Sequence, residues 1–571
     1  MTHQWRREPR RLHRPFSGCA DLLVRLPPKA ASESPPAKPA TAFFGLRRSA
    51  ASPESGPEGP RTQRTGVGVA RFSTAVVAAF LLAACTAPDS APPTPATSTA
   101  ADASTTPDTP WNVVLFLADD LAWNQVGYHG TTFYETPTID AVAAAGMTFS
   151  NAYSANPVCS PTRASLMTGK NPARLQITDY IPGSPYPYAR LLRPAEVPGL
   201  PLEEVTIAEL FKSQGYATGH FGKWHLNVDK EYVPGRPMDP ASQGFDDVLT
   251  TVKPEYEDDP LADSHHAREI TERSLAFLDA NRDNPFFLYV THHVVHRPLL
   301  EDPKLIAKYE AKPGADDPVN NPVMGAMIET MDAGFGQILD RIEEHGLTER
   351  TIVIFYSDNG GFEQLQAQDP FRGGKAMIWE GGIRVPLAVK WPGVVEPGSA
   401  SDELVISDDF FPTIADILGV DELPADIDGL SLLPVLDGSG SLDRDTLYFH
   451  YPHYHHLGYK PAGAIRQGDY KLIEWFEGTI GGVGQGTGEV RLGPAPRNRE
   501  HGRVFSLFNL KDDPGETRDI AGKHPERVMR MWAELIAWRH RVGAGEMTIN
   551  PGYEKARHDW RFIDEHGGDA R

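Results

Sequence analysis

The stretch Asn-Val-Val-Leu-Phe-Leu-Ala spans residues 112–118 and is followed directly by Asp119 and Asp120. An unbroken apolar run of this length is typical of a strand that is buried on both faces of a sheet. Ligands of open α/β sheets bind beyond the carboxyl ends of the strands, so the acidic pair lies where chemistry is expected. Two adjacent carboxylates repel each other unless a cation neutralises them, and the pair therefore indicates a cation site.

Three further segments repeat this design, in which an apolar strand ends in polar side chains. Residues 217–221, 285–290 and 351–356 are the strands, and helical patterns lie between them. Alternating strands and helices predict an α/β fold with a mostly parallel, doubly wound sheet between helices. The polar residues that follow these strands are Lys223, His225, His292, His293, His296, Asp358 and Asn359.

The oxygen-bearing residues at two of these strand ends predict a metal site. Asp119, Asp120, Asp358 and Asn359 offer carboxylate and amide oxygens, which suit calcium or magnesium better than zinc. Calcium is favoured because it tolerates the loose geometry of a mixed set of ligands. A lone Asp-Asn-Gly-Gly is more often a turn, but two pairs of oxygen ligands that each follow an apolar strand favour the metal.

The segment Cys159-Ser160-Pro161-Thr162-Arg163 predicts the start of a helix that Gly169 ends. Pro161 suits the first helical position, and the helix N-terminus favours an anion there, either a thiolate or a bound oxyanion. Arg163 lies one turn after Cys159 and should reach the sulfur. Composition alone leaves another interpretation open, because a cysteine before a short helix is more often a small buried hydrophobe.

The same segment, continued by Ala-Ser-Leu-Met-Thr-Gly, resembles the signature of the type I sulfatases of the alkaline phosphatase superfamily. Thr162 stands where that family usually has serine. The resemblance implies an alkaline-phosphatase-like large domain and the oxidation of Cys159 to formylglycine by a formylglycine-generating enzyme. It also implies a calcium ion held by Asp119, Asp120, Asp358, Asn359 and the modified Cys159.

Further residues match catalytic positions of the family, and the resemblance implies their roles. The hydrate of formylglycine would attack the sulfur of a sulfate ester, activated by the cation and Arg163. Lys223 and Lys375 would neutralise the sulfate oxygens, and His296 with Lys375 would protonate the leaving alcohol. His225 would then remove the proton whose loss expels the sulfate.

The substrate is inferred from an aromatic, histidine-rich segment at residues 448–456. This segment resembles sequences in sulfatases that act on sulfated polysaccharides, which implies a sulfated glycan as substrate. A buried strand with solvated histidines explains the composition equally well. The candidate substrate contacts are His293, Arg384, His450 and His453.

The chain divides into a catalytic domain at residues 111–438 and a C-terminal subdomain at residues 439–571. In the subdomain, the segments 447–451, 464–467, 470–475 and 505–509 alternate in polarity like antiparallel strands. Residues 525–541 form an amphipathic helical pattern. The subdomain is therefore expected to be a small α+β unit with an antiparallel sheet.

The N-terminal segment predicts export and a lipid anchor. Residues 1–70 are expected to be disordered or wrongly assigned to the protein, with translation starting near Val67 or Val69. Residues 71–85 combine a basic flank, a short apolar run and small residues, and they resemble a bacterial lipoprotein signal whose Cys85 is lipidated. Residues 86–110 are a Pro/Thr/Ser-rich tether. The expected location is the cell surface or periplasm, on the outer side of the cytoplasmic membrane.

The charge and the cysteine content limit the kinds of partner and of metal site that the protein can have. The net charge is −21, and the first 71 residues carry +8, which leaves −29 for the remainder and argues against nucleic acid. Three cysteines without a Cys-x-x-Cys exclude a disulfide framework and a thiolate zinc site. Membrane contact is expected through the lipid anchor alone. Two other functions remain open: a phosphate or phosphonate ester hydrolase of the same superfamily, and a glycan-binding lipoprotein with unconverted Cys159.

Overall fold

The computed structural model describes residues 110–457, 459–480 and 504–554. Three of the predicted N-terminal features lie outside the described residues. They are the segment 1–70, the signal segment 71–85 with its lipidation site Cys85, and nearly all of the tether at residues 86–110. The boundary at residue 438 stays a prediction. No helix among the described residues is both long enough and apolar enough to cross a membrane.

The strands are named in chain order. They are β1 (Asn112–Ala118), β2 (Met147–Phe149), β3 (Ala152–Tyr153), β4 (Leu191–Leu192), β5 (Ala217–Gly222), β6 (Asp247–Thr250), β7 (Phe286–Thr291), β8 (Thr351–Ser357), β9 (Leu387–Lys390), β10 (Ser399–Ser401), β11 (Val405–Ile406), β12 (Thr446–Tyr451), β13 (Ala462–Gln467), β14 (Tyr470–Trp475), β15 (Phe505–Asn509) and β16 (Thr548–Ile549).

The α-helices are named in the same way. They are α1 (Pro137–Ala144), α2 (Cys159–Thr168), α3 (Pro172–Leu175), α4 (Ile207–Ser213), α5 (Ala267–Asn281), α6 (Pro303–Glu310), α7 (Pro322–Glu344), α8 (Glu380–Ile383), α9 (Phe410–Leu418), α10 (Leu433–Leu436), α11 (Phe476–Thr479) and α12 (Pro525–Val542).

The large sheet has the strand order β10-β2-β9-β8-β1-β7-β5-β6 within the described part of the chain. Its centre, from β8 through β1, β7 and β5 to β6, is parallel. Strand β9 runs antiparallel to both of its neighbours. The predicted α/β fold with a mostly parallel sheet is confirmed.

Strand β1 is apolar throughout because both of its faces are covered. Val113, Leu115 and Leu117 pack in one core with residues of α2, α4 and α9. The alternate residues of β1 pack in a second core with residues of α1, α5 and α7. In that core Phe116 stacks on Phe335 with ring centroids 4.2 Å apart, and truncating a buried Phe of this kind costs about 3–5 kcal/mol.

The C-terminal subdomain contains the antiparallel sheet β12-β13-β14-β15. One face of the sheet packs on α12, and the other packs on the large domain around Tyr153 and Ile383. The predicted strands and helix of this segment are therefore confirmed. The short β16 pairs with β4 and joins the end of the described chain to the large domain.

Helix starts follow the sequence signals in part. The sequence Thr206-Ile207-Ala208-Glu209 predicts a capping box at the start of α4. The box is present, with Thr206 Oγ1 accepting from Glu209 N–H and the Glu209 carboxylate accepting from Thr206 N–H. Helix α2 begins at Cys159, two residues before the predicted first position at Pro161. The proline is tolerated in the third position because the first four N–H groups of a helix have no intrahelical acceptor.

Candidate active site

The pairs Asp119-Asp120 and Asp358-Asn359 meet because their strands are neighbours. Strands β1 and β8 are parallel with Ala118 opposite Ser357, so the residues that follow them leave the sheet at the same edge. Asp120 N–H donates to Asp358 Oδ1 at 3.2 Å across this edge. Ligand atoms of Asp119, Asp120, Cys159 and Asp358 lie within 4.8 Å of one another, and all four residues are buried.

The donor set of this cluster fits a hard divalent cation. Asn359 Nδ2 donates to Asp120 Oδ1 at 2.7 Å, while Asn359 Oδ1 is buried without a hydrogen-bond partner among the described residues. A buried carbonyl oxygen left without a partner costs about 1–3 kcal/mol. A cation bound by this oxygen and the three carboxylates would remove that cost and the repulsion between the acids. Asp120 also has a left-handed backbone (φ 61°), a strained conformation typical of functional sites.

The carboxylates differ in acidity because of their neighbours. Burial raises the pKa of Asp119, but the positive charges around it, that of Lys223 above all, outweigh burial and hold the pKa well below its usual range. Burial and the charge of Asp119 raise the pKa of Asp358 to about 6. A cation beside both groups would keep them ionised.

Cys159 stands at the centre of the site. Its Sγ lies 3.3 Å from Asp119 Oδ1 and 3.4 Å from Lys375 Nζ. Burial, followed by the charges of Asp119 and Asp358, raises the pKa of the Cys159 thiol well above its usual value. These surroundings by themselves therefore favour the thiol over the thiolate. Of the two anions that the helix N-terminus was predicted to favour, this environment disfavours the thiolate.

Arg163 is anchored so that one of its nitrogens stays available. Its Nε donates to Asp358 Oδ2 at 2.8 Å and its Nη1 to the Lys223 carbonyl at 2.7 Å. Its Nη2 is buried without a hydrogen-bond partner in the described part of the chain. The guanidinium is thus fixed with one donor left for an oxyanion.

Two ammonium groups border the acidic cluster. Lys223 Nζ lies 2.7 Å from Asp119 Oδ2, and Lys375 Nζ lies 2.8 Å from Asp120 Oδ2. Burial lowers the pKa of each lysine, but these carboxylates outweigh it and raise both pKa values, so both side chains carry charge. The loop of Lys375 packs backbone to backbone on the loop after β8. A Cβ added at Gly374 would meet the Gly361 carbonyl oxygen at 2.3 Å.

The hydrogen bonds of His225 and His296 indicate their tautomers. His225 Nε2 lies 2.9 Å from the Ile181 carbonyl, so Nε2 carries the proton and Nδ1, which has no described partner, holds a lone pair. His296 Nδ1 lies 2.6 Å from the Arg297 carbonyl, which leaves the lone pair on Nε2, 3.7 Å from Asp120 Oδ2. Burial first, and then Lys223 for His225 and Lys375 for His296, lower both pKa values well below the usual range.

These groups open into one cleft of about 440 Å³. The residues predicted as catalytic or substrate-binding that line it are Cys159, Lys223, His225, His293, His296 and Lys375. His293 is almost fully buried, and its Nε2 lies 3.0 Å from Thr251 Oγ1. The wall contains residues that sequence reasoning did not select, namely Tyr180, Asp229, Lys230, Lys253, Tyr256, Arg297, Phe362, His455 and His456.

Three predicted substrate contacts do not line this cleft. Arg384 donates to the Ser150 carbonyl and pairs with Glu380. His450 Nε2 lies 2.8 Å from the Gly545 carbonyl, beside the start of the chain segment after α12. The side chain of His453 is buried, with Nε2 2.8 Å from Thr178 Oγ1. The structure thus gives all three residues contacts within the protein fold.

Two other histidines of the same histidine-rich segment do line the cleft. His455 and His456 follow β12 after Tyr451, where the chain leaves regular strand geometry. Side chains alternate between faces inside a strand, but in a loop that alternation no longer indicates direction. Composition identified the segment, and the loop decides which of its histidines face the cleft.

Comparisons with known proteins agree with this geometry. A family model described as Sulfatase matches residues 111–420, and a model described as N-sulphoglucosamine sulphohydrolase, C-terminal, matches residues 373–480. Human arylsulfatase A is 31% identical over 483 residues, covering 77% of this chain and 90% of that protein. Human N-acetylgalactosamine-6-sulfatase is 30% identical over 449 residues, covering 71% of this chain and 81% of that protein. The structure of Ps i-CgsB in complex with k-i-k-neocarrahexaose matches with a TM-score of 0.62 and 23% identity over 80% of this chain and 98% of that one.

Proposed function

The chain belongs to the sulfatase family and is a sulfate ester hydrolase, and from this premise we propose that it acts on a sulfated glycan with a formylglycine made from Cys159. The observation that carries the proposal is the position of Cys159 Sγ, which lines the cleft and is in contact with the Asp119 carboxylate and the Lys375 ammonium. A protonated thiol in that position is a weak nucleophile. The hydrate of formylglycine would supply a hydroxyl there in its place.

We assign the cation to calcium, held by Asp119, Asp120, Asp358, Asn359 and the modified side chain at position 159. The oxygen donors, with a buried amide oxygen that lacks a described protein partner, support this choice over zinc. Calcium bound there would polarise a sulfate oxygen and acidify the neighbouring hydroxyl. Magnesium is the weaker candidate because it requires a stricter octahedral geometry.

The cationic side chains bind and orient the sulfate. Lys223 and Lys375 are charged, and their ammonium groups lie against Asp119 and against Cys159 Sγ, respectively. Arg163 keeps Nη2 without a described partner and can donate it to an oxyanion. Fixed donors in a buried site stabilise the charge that develops on sulfate oxygens in the transition state.

Proton transfer is assigned to the two histidines and Lys375. His225 is neutral with a lone pair on Nδ1, which makes it ready to accept a proton. Lys375 is charged and can donate a proton toward the leaving alcohol. His296 is neutral without substrate. An anionic sulfate beside it would raise its pKa, which would allow it to act as the acid with Lys375.

The glycan assignment rests on the cleft and on a relative. The cleft wall carries Tyr180, Tyr256, His455 and His456, whose rings can stack on sugars and whose polar atoms can bond hydroxyls. The name of one relative, N-acetylgalactosamine-6-sulfatase, specifies a sulfated sugar. A small aryl sulfate that is cleaved well beside a panel of untouched sulfated sugars would contradict the glycan assignment.

The proposal also includes maturation and location. A formylglycine-generating enzyme of the host would convert Cys159, and the signal at residues 71–85 would place the protein outside the cytoplasmic membrane as a lipoprotein. Both statements rest on sequence signals.

One experiment tests the chemistry. The mass of the peptide that carries residue 159, from protein made in its native host, is measured beside release of inorganic sulfate. We expect formylglycine in the peptide, sulfate release by the wild type, and loss of release in Cys159→Ala. Unmodified cysteine without sulfate release would favour the glycan-binding alternative. Faster hydrolysis of a phosphate monoester than of the matched sulfate would favour the phosphohydrolase alternative.

A further inference from the structure

The cleft differs in charge from the rest of the protein. The whole chain carries a net charge of −21. Among the described residues that line the cleft, Lys223, Lys230, Lys253, Arg297 and Lys375 are basic and Asp229 is acidic. A basic cleft in an acidic protein concentrates the attraction for anionic substrates in one place.

Two of the basic residues belong to the sulfate position already described, and one is tied to a neighbouring loop. Lys223 and Lys375 lie against the acidic cluster. Lys230 forms an exposed ion pair with Glu255 at 2.8 Å. Arg297 differs from these residues, because its side-chain contact within the described ranges is the ring of Phe362 and not a carboxylate. It is a guanidinium without a described counter-ion in a substrate cleft.

Arg297 is also held in a fixed place beside the reacting groups. Its guanidinium lies 4.8 Å from the ring centroid of Phe362, and the same ring lies 5.1 Å from Lys375 Nζ. The ring of His296, the preceding residue, lies 5.9 Å from Phe362. Phe362 therefore contacts both Arg297 and Lys375, one of the lysines that border the sulfate position. A stacked guanidinium keeps its edge donors free for an oxyanion.

A second basic residue supports this side of the cleft. Lys253 lines the cleft and is close enough to His296 for its charge to lower the pKa of that imidazole. Like Arg297 it is half-buried. The two positive charges thus lie on the side of the cleft near His296, the side that our mechanism assigns to the leaving alcohol.

We propose that Arg297 binds a second oxyanion of the substrate, a sulfate or a carboxylate on the sugar that leaves. This inference rests on the proposed function. The enzyme then prefers glycans with two anionic groups over otherwise identical monosulfated ones. Arg297 is a specificity residue here, since planar guanidinium donors pair with both kinds of oxyanion.

The test compares four disaccharides that share one scissile sulfate. The first carries no other charge, the second adds a sulfate, the third adds a uronate carboxylate, and the fourth is the methyl ester of the third. The ratio of kcat/KM for a doubly charged substrate to that for the monosulfated one is measured in the wild type, Arg297→Gln and Arg297→Lys. Arg282→Gln, an exposed arginine after α5, is the matched control.

We expect a wild-type ratio above about 10 and a fall of at least about 10-fold in Arg297→Gln, since charge-assisted hydrogen bonds are worth about 1.5–3 kcal/mol. Arg297→Lys keeps part of the ratio because it keeps the charge, and Arg282→Gln keeps all of it. The second and third sugars show whether sulfate or carboxylate is recognised, and the methyl ester then loses the carboxylate advantage.

A ratio near 1 in the wild type, or one that Arg297→Gln leaves unchanged, would overturn the inference while leaving sulfatase activity established. Absence of sulfate release from every sugar would instead contradict the proposed function. In that case, calorimetric binding of the same sugars to Cys159→Ala, with and without Arg297→Gln, still decides the role of Arg297. A common loss of affinity for all four sugars would overturn it.

Discussion

The two ends of the Asn359 amide have different surroundings. Nδ2 is bonded to Asp120, while Oδ1 has no described partner. If Oδ1 is a calcium ligand, Asn359→Ala will weaken calcium binding by at least about 10-fold, and excess calcium will restore activity. Calcium titration after chelation, followed by activity and calorimetry, measures this. Asn284→Ala, at an exposed turn, is the control. An unchanged calcium dependence in Asn359→Ala would remove Asn359 from the ligand set.

His225 gives a prediction about the order of product release. Because its Nδ1 is assigned to the step that frees sulfate, His225→Ala should lower kcat by about 10²–10⁴. A rapid burst of one equivalent of alcohol should precede the slow release of sulfate. Rapid-quench measurement of both products checks this, with His345→Ala near the end of α7 as the control. Equal slowing of alcohol and sulfate from the first turnover would count against this role.

At the scale of elements, the carboxyl ends of the strands were the most informative part of the sequence. Apolar runs predicted β1, β7 and β8, and the rule for parallel sheets placed their terminal residues together. The capping box of α4 could be predicted because it depends on residues three apart. Such patterns depend on interactions between residues that are close in sequence. They can therefore be predicted without knowledge of the tertiary packing.

Longer-range details could not be predicted. Arg384 was chosen from a glycine-rich segment, yet it pairs with Glu380 one turn earlier in the chain. Arg297 was not chosen, because the contact that positions it is made with Phe362, which is far away in the sequence. Which side chain faces a cleft between two elements depends on tertiary packing, and a pattern in one segment does not contain that information.

The short 3₁₀ helix Ser407–Asp409 before α9 yields a prediction about pH. Burial, followed by the charges of Asp428 and Asp409, raises the pKa of Asp408 to about 7. A carboxyl group whose pKa is higher in the folded state than in the unfolded state stabilises the fold at pH values below the unfolded-state pKa. This stabilisation is lost as the pH rises to the folded-state pKa. The contribution of Asp408 to stability should therefore fall between about pH 4 and pH 7, by about 1.4 kcal/mol for each step of one in pH.

Asp408→Asn should lack this loss, so its stability relative to the wild type should rise over that range. Urea unfolding at several pH values measures the difference. Asp416→Asn, exposed on α9, should follow the wild type. Parallel pH profiles for wild type and Asp408→Asn would show that Asp408 ionises normally.

At the scale of the whole molecule, the sequence of residues 71–85 predicts a lipid tether at Cys85. If Cys85 is the lipidated residue, Cys85→Ala will abolish incorporation of labelled fatty acid and move the protein out of the membrane fraction. Cys19→Ala is the matched control, since Cys19 lies in the segment that should be absent from the mature chain. Continued labelling of Cys85→Ala would exclude the lipoprotein assignment.

The two sheets contribute jointly to the cleft. The large sheet supplies the acidic cluster, and the loop after β12 of the antiparallel sheet supplies His455 and His456. Removing the subdomain would also expose the apolar surface around Tyr153 and Ile383 that it covers. Activity and stability therefore depend on the same interface.

The burial of α2 has a consequence for the biosynthesis of the enzyme. All ten residues of this helix are buried, so a modifying enzyme cannot bind the segment around Cys159 once folding is complete. If that cysteine is converted, conversion competes in time with folding, and molecules that fold first keep the thiol permanently. The active fraction of a preparation would then depend on the ratio of the conversion rate to the folding rate. Slower folding would raise the active fraction without any change in sequence.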